Sequence, residues 1–191
     1  AIPRSSDGQL LFLMEMVDKM KRSTDSPMGS RIASVHNGSA LFTGDAGGGE
    51  SNIRRYIIEN DYLEAIIQLP NNLFYNTGIT TYVWVLSNNK GAPRRGKVQL
   101  IDASNLYQKL RKNLGEKNCE FTDEHIHQIT QLYLEMPSGG ISQVFNNRDF
   151  GYYKVTVERP LRLAAQFTTE RIATLRFTPG MQDIMEWIYG K

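Results

Sequence analysis

Between Pro70 and Thr80 the sequence PNNLFYNTGIT sets two adjacent aromatic residues, Phe74 and Tyr75, among Asn71, Asn72, Asn76, Thr77 and Gly78. An insert of that length is longer than a simple turn needs. Exposed aromatics carried on a loop between strands are where binding chemistry tends to sit, although loop aromatics also fold back to anchor their own loop. A second candidate is His36, which with Asn37 and Gly38 follows the short apolar run Ile32 to Val35. In an open α/β sheet ligands bind outside the carboxyl ends of strands, so this exit could border a site. No carboxylate or nucleophile is paired with His36 in sequence, which favours an orienting or structural role.

Other chemistry-bearing residues point less far. Gly44-Asp45-Ala46-Gly47-Gly48-Gly49-Glu50 leads into a helical pattern, but it lacks both Gly-Lys-Ser/Thr and Gly-x-Gly-x-x-Gly, and Asp45 and Glu50 would repel a phosphate. It reads as a flexible connection capped by Ser51. His125 and His127 are two residues apart and diverge on a helix, so they do not suit one metal. Cys119 is the single cysteine and reads as a bystander in a polar stretch. Eight cations, from Lys90 to Lys117, stand against only Asp102 and Glu116, giving that segment a net charge of +6 within a chain of +2. A local basic surface of this kind can lie along a phosphate backbone, or be an ordinary solvated surface. Arg94, Arg95 and Lys97 are its leading candidates.

These residues must be held by a sheet. Leu63 to Leu69 and Thr80 to Leu86 are β-favouring runs on either side of the aromatic insert, and the second is apolar on both faces, as a strand covered on both sides would be. Helices are expected from Asp7 to Arg22, from Ser51 to Asn60, and from a Thr122 cap to Met136, with a basic helix around Leu106, Leu110 and Leu114. Val98 to Ile101 reads as a strand. The order strand, helix, strand, strand, strand suggests the last third of a doubly wound α/β sheet with an antiparallel hairpin at its edge. Pro137, Gly139 and Gly140 mark a boundary, dividing a part over 1–136 from a tail over 137–191. Within the tail Tyr152 to Val157 reads as a strand, and Thr168 and Pro179 each open a short helix. Its surplus apolar faces suit docking.

In 191 residues with 40% hydrophobic and 22% charged content, a full soluble core is available. No apolar run approaches the roughly 18 residues of a membrane span, and a cytoplasmic setting follows by default. The chain begins at Ala1 and reads as a piece of something longer.

Several segments taken together resemble the modification (methyltransferase) subunit of type I restriction-modification systems, a family of adenine-N6 DNA methyltransferases. They are RIASVHNGSALFTG from Arg31, ESNIRRYIIEND from Glu50, the Leu63 to Ser87 hairpin, GKVQLIDAS from Gly96 and NRDFGYYKVTVERPLR from Asn147. The resemblance implies the C-terminal portion of a Rossmann-like methyltransferase sheet with a mainly helical tail. Ile32 to Val35 would be the fifth strand and the hairpin the sixth and seventh. The family's glycine-rich S-adenosylmethionine turn and its Asn-Pro-Pro-Phe motif do not occur here, so no catalytic or cofactor residue is carried over. S-adenosylmethionine is expected for the full-length parent and no cofactor for this chain.

The resemblance also implies that the loop of Phe74, Tyr75, Asn76, Thr77 and Gly78 lies beside a flipped target base; His36 and Asn37, at their strand exit, are candidate DNA contacts with it. Arg94, Arg95 and Lys97 would touch DNA phosphates or a DNA-specificity subunit. Expected partners are DNA, the specificity subunit and the restriction subunit, and the exposed sheet edge favours pairing with a second copy. A non-catalytic module that docks the specificity subunit is the rival reading. A nucleotide-binding protein using the glycine-rich loop is a third.

Overall fold

The computed structural model describes residues 2–22, 24–159 and 166–175. The chain divides into a unit Ala1–Lys154 and a unit Val155–Lys191. In the first, α1 (Gln9–Asp18), β1 (Arg31–Asn37), α2 (Ser39–Phe42), α3 (Gly49–Glu59), β2 (Leu63–Gln68), β3 (Thr81–Ser87) and β4 (Lys97–Asp102) follow one another. Then come β5 (Gln108–Leu114), β6 (Lys117–Glu120), α4 (Asp123–Glu135) and β7 (Ser142–Asn146).

Five strands form one mixed sheet in the order β1-β3-β2-β4-β7, and β5 and β6 pair as a separate hairpin. Strand β3 runs antiparallel to both β1 and β2, β4 is parallel to β2, and β7 is antiparallel to β4. The carboxyl ends of β1, β2 and β4 therefore share one end of the sheet. Period-two alternation supplies both faces, as the apolar pattern of β3 predicts: Trp84, Leu86 and Val98 meet Leu13 of α1 and Ile57 of α3. Ala65, Ile67, Val85 and Ile101 meet Ile129 and Leu132 of α4 on the other side. Helix α4 is opened by Thr122, whose hydroxyl accepts the His125 N–H at 3.3 Å while the His125 Nδ1 accepts the Thr122 N–H at 3.2 Å.

The structure departs from the sequence reading in several places. The expected basic helix around Leu110 is the β5–β6 hairpin, turning at Gly115, whose φ of +63° lies in the left-handed region. Leucines four apart mimicked a helical stripe, but most of this strand is exposed, and its partner β6 buries Cys119 in the α4-side core. Cys119 is thus a packed core residue rather than a bystander in a polar stretch. Helix α3 starts at Gly49 and has Gly48 at its N-cap without a side-chain cap, so Ser51 lies inside the helix. A boundary at 137 would detach β7, which pairs with β4, and the observed division falls after Lys154. Residues 151–159 form no strand. In the second unit α5 (Thr169–Leu175) begins where Thr168 predicts, its hydroxyl accepting the Arg171 N–H at 3.3 Å. The helix expected from Pro179 lies outside the described residues.

Candidate functional site

Strand β2 ends at Gln68, and the chain returns into β3 at Thr81, so the aromatic loop projects from the carboxyl end of the sheet. Its base is closed by the Leu69 N–H donating to the Thr81 carbonyl at 2.9 Å and by the Thr80 hydroxyl donating to Asn71 Oδ1 at 2.6 Å. Leu73 is buried in the α4-side core, which tethers the middle of the loop. Phe74 and Tyr75, next in sequence, are 39% and 63% exposed. The apolar anchor is therefore Leu73, and the two rings are left toward solvent.

Loops of this size need more than an anchor, and the β5–β6 hairpin supplies it. Asn72 Nδ2 donates to the Glu116 carbonyl at 3.0 Å, and the Asn118 N–H donates to the Asn72 carbonyl at 3.1 Å. Lys117 Nζ donates to the Leu73 carbonyl at 2.8 Å and lies 5.9 Å from the Tyr75 ring centroid. Asn72 and Asn76 both hold φ near +56°, a conformation that asparagine tolerates better than most residues. A Cβ on Gly78 would stand 3.1 Å from Asn72 Nδ2 and 3.3 Å from Glu116 Oε2, so Gly78 permits the close approach of loop and hairpin. Sequence reasoning missed this buttress. The signal was Asn-Leu-Gly-Glu-Lys, a glycine-containing turn between polar strands.

His36 and Asn37 reach the same end, since Asn37 pairs with Thr81 and His36 with Tyr82 across β1 and β3. Their side chains are committed inward. His36 is 4% exposed and meets Trp84 edge-on at 5.7 Å between ring centroids, and burial pushes its basicity down. Neither imidazole nitrogen has a hydrogen-bond partner among the described residues. Asn37 forms a two-way clamp with Gln9: its N–H donates to Gln9 Oε1 at 2.9 Å and its Oδ1 accepts from Gln9 Nε2 at 2.8 Å. Asp7 joins this corner, held down to about 2 by hydrogen bonds from the Ser39 hydroxyl and from Gln9.

Arg94, Arg95 and Lys97 are not brought to the loop. Arg94 and Arg95 precede β4 and Lys97 opens it, at its amino end, five residues of strand or about 17 Å from Asp102 at the loop end. Arg94 is a strut under α4: its guanidinium lies 4.1 Å from the Tyr133 ring centroid, donates to the Tyr133 carbonyl and reaches Gln99 Oε1 at 3.3 Å. The Tyr133 hydroxyl in turn donates to the buried Glu64 carboxylate, which also pairs with Arg31 at 3.4 Å. Burial and that carboxylate push the Tyr133 phenol up to about 12. Arg95 Nε donates to the Lys90 carbonyl at 3.2 Å, and Lys97 is exposed.

The glycine-rich turn also has a structural cause. A Cβ on Gly49 would fall 1.9 Å from the Ile2 carbonyl oxygen, so the chain's own N-terminal segment fills the space a ligand would need. Glu50 accepts the Arg4 N–H at 3.2 Å in the same corner.

The family model for N-6 DNA methylase matches residues 1–158. The chain belongs to that family. Among curated relatives, the type I restriction enzyme MjaIX methylase subunit of Methanocaldococcus jannaschii is 35% identical over 110 residues, which is 58% of this chain and 19% of the relative. The HindI methylase subunit of Haemophilus influenzae is 38% identical over 170 residues, 82% of this chain and 36% of that protein. The crystal structure of a type I restriction-modification methyltransferase subunit from Streptococcus thermophilus superposes with a TM-score of 0.65 at 27% identity, covering 78% of this chain and 28% of the other. This family member therefore spans roughly a fifth to a third of the length of these relatives.

Proposed function

We propose that this chain is the rear part of a DNA adenine-N6 methyltransferase subunit of a type I restriction-modification system, and that its aromatic loop supports the flipped target base. The observation that carries the reading is the loop itself: Phe74 and Tyr75 exposed at the carboxyl end of the sheet, on a backbone pinned by Leu73 and by the β5–β6 hairpin. A base taken out of a duplex loses its stacking partners, and an exposed ring on a preset loop replaces them at small entropic cost. Asn76, Thr77 and Gly78 shape that loop. His36, buried, and Asn37, half-buried and clamped to Gln9, support the neighbouring strand end rather than touch the base.

Residues 2–3 fill the space at Gly49, so the glycine-rich turn does not cradle S-adenosylmethionine there. The parent would bind the donor elsewhere. The outer edge of β1, unpaired among the described residues, is where the resemblance puts a preceding strand of the parent. Pairing of two copies there is the alternative, and sedimentation of the isolated chain distinguishes monomer from dimer. Arg95 and Lys97, at the far end of β4, suit the specificity or restriction subunit better than the target base.

The test is single-turnover methyl transfer by the full-length subunit assembled with its specificity partner. Stacking on an aromatic contributes about 1–3 kcal/mol per base, so Phe74→Ala or Tyr75→Ala should slow transfer or weaken binding by about 5- to 150-fold. If both variants stay within twofold of the parent, the loop does not hold the base.

A further inference from the structure

The hairpin that buttresses the loop carries a charge pattern which the buttressing does not use. Of its cations only Lys117 turns to the loop, donating to the Leu73 carbonyl. Lys109, Arg111 and Lys112 are exposed, and among the described residues none of them pairs with a carboxylate. Glu120, the nearest acid along the hairpin's open end, is taken by Gln108 Nε2 at 2.9 Å. Glu116 sits at the turn, where its carboxylate approaches Gly78 and its carbonyl accepts from Asn72. Three unneutralised cations within four residues thus stand on an element tied to the aromatic loop.

Soluble surfaces ordinarily intersperse charges of both signs, and uncompensated cations beside exposed aromatic rings match the two needs of nucleic-acid binding, phosphate neutralisation and base stacking. We propose that the β5–β6 hairpin is a phosphate clamp in which Lys109, Arg111 and Lys112 grip the backbone of duplex DNA beside the base held by Phe74 and Tyr75. This deepens the base-support reading and rests on it. Because hairpin and loop share the Asn72, Leu73 and Asn118 hydrogen bonds, gripping the backbone also sets where the rings stand relative to the strand. Its grip on phosphates carries no sequence information and positions the duplex only.

The experiment is binding of the full 191-residue chain to a fluorescent 30-bp duplex by anisotropy, across salt concentrations, for the wild type and for Lys109→Gln/Arg111→Gln/Lys112→Gln. Each phosphate left unneutralised should lower the slope of log K against log salt by about 0.9, so the triple variant should reduce the slope by about 2 to 3 and the affinity by about two to three orders of magnitude at 0.1 M salt. Arg95→Gln/Lys97→Gln, which removes two cations at the opposite end of β4, should change the slope by less than about 0.5. Unfolding by circular dichroism checks that all variants fold alike, as substitutions of exposed side chains should. A triple variant that binds with the wild-type slope overturns the clamp alone. Equal reductions in the triple and far-end variants overturn it too, since binding would then follow net charge. A wild-type chain that binds no duplex at low salt overturns both the clamp and the DNA reading beneath it.

Discussion

Two groups of four cations lie on either side of β4 in one basic segment, and the fold treats them differently. On the amino side, Lys90 is almost fully buried, with its ammonium 2.6 Å from Asp61 Oδ1 and 2.8 Å from the Lys97 carbonyl. Arg94 is stacked under α4, Arg95 caps a carbonyl, and only Lys97 is free of such a role. Across the strand, Lys109, Arg111 and Lys112 hold nothing in place among the described residues, and of these four cations Lys117 is the one that fixes the aromatic loop. Lys90, Arg94 and Arg95 of the first group are structural, because they satisfy carbonyls and the Asp61 carboxylate. Lys109, Arg111 and Lys112 of the second are available to a ligand. Equal charge in sequence becomes unequal chemistry once burial is known.

The sharpest way to break this contrast is Asp61→Asn. Asp61 has φ of +57°, which asparagine also adopts, so the change removes charge and leaves the backbone alone. It strips the counter-charge from a buried ammonium and should cost about 3 kcal/mol in urea unfolding, while leaving the salt slope of DNA binding unchanged. A cost below about 1 kcal/mol would place Lys90 with the surface cations. The same pair predicts an acid limb. Burial raises the Asp61 carboxyl, but the Lys90 ammonium, the Gly96 N–H and the Asn147 amide outweigh it, and the net shift is downward. A carboxyl depressed by folding contributes stability above its ordinary unfolded value and loses it as pH falls through the lowered one. Stability of the wild type should therefore fall as pH drops below about 4, and Asp61→Asn should flatten that part of the profile.

Arg94→Met should cost about 1–2 kcal/mol, since it keeps much of the apolar packing against Tyr133 but leaves the Tyr133 carbonyl of α4 without this donor. Faster hydrogen exchange confined to α4 would identify the element released. Lys117→Met is the counterpart across the strand. It should leave global unfolding within about 1 kcal/mol, because it removes one hydrogen bond to the Leu73 carbonyl, yet raise exchange at residues 72–76. Lys109→Gln should be smallest, within about 0.5 kcal/mol of wild-type stability, and a larger cost would mean that the hairpin cations are structural after all.

Much of the sheet was legible in the sequence. Both-sided apolarity marked β3 as a covered strand, the order of runs indicated an α/β sheet with an antiparallel hairpin, and Thr122 announced α4, because these signals depend on spacing along the chain alone. The aromatic loop was legible for the same reason, as a polar insert between two strong strand patterns. Segments whose conformation depends on distant partners were misread. Gln108 to Leu114 is a strand because β6 turns back on it at Gly115 and buries Cys119, not because of its own periodicity. Within the Gly47 to Gly49 run, Gly49 is required because residues 2–3 pass against it, and Gly47 because its φ of +81° lies in the left-handed region.

What the sequence determined by itself, then, was the α/β core from α1 to β4 and helix α4, the position of an aromatic loop between two of its strands and the density of cations after it. Only the tertiary structure decided which cations are used up and which remain free. Charge is counted along a chain, but its availability depends on desolvation and on partners that approach through space, such as Asp61 for Lys90 and Tyr133 for Arg94.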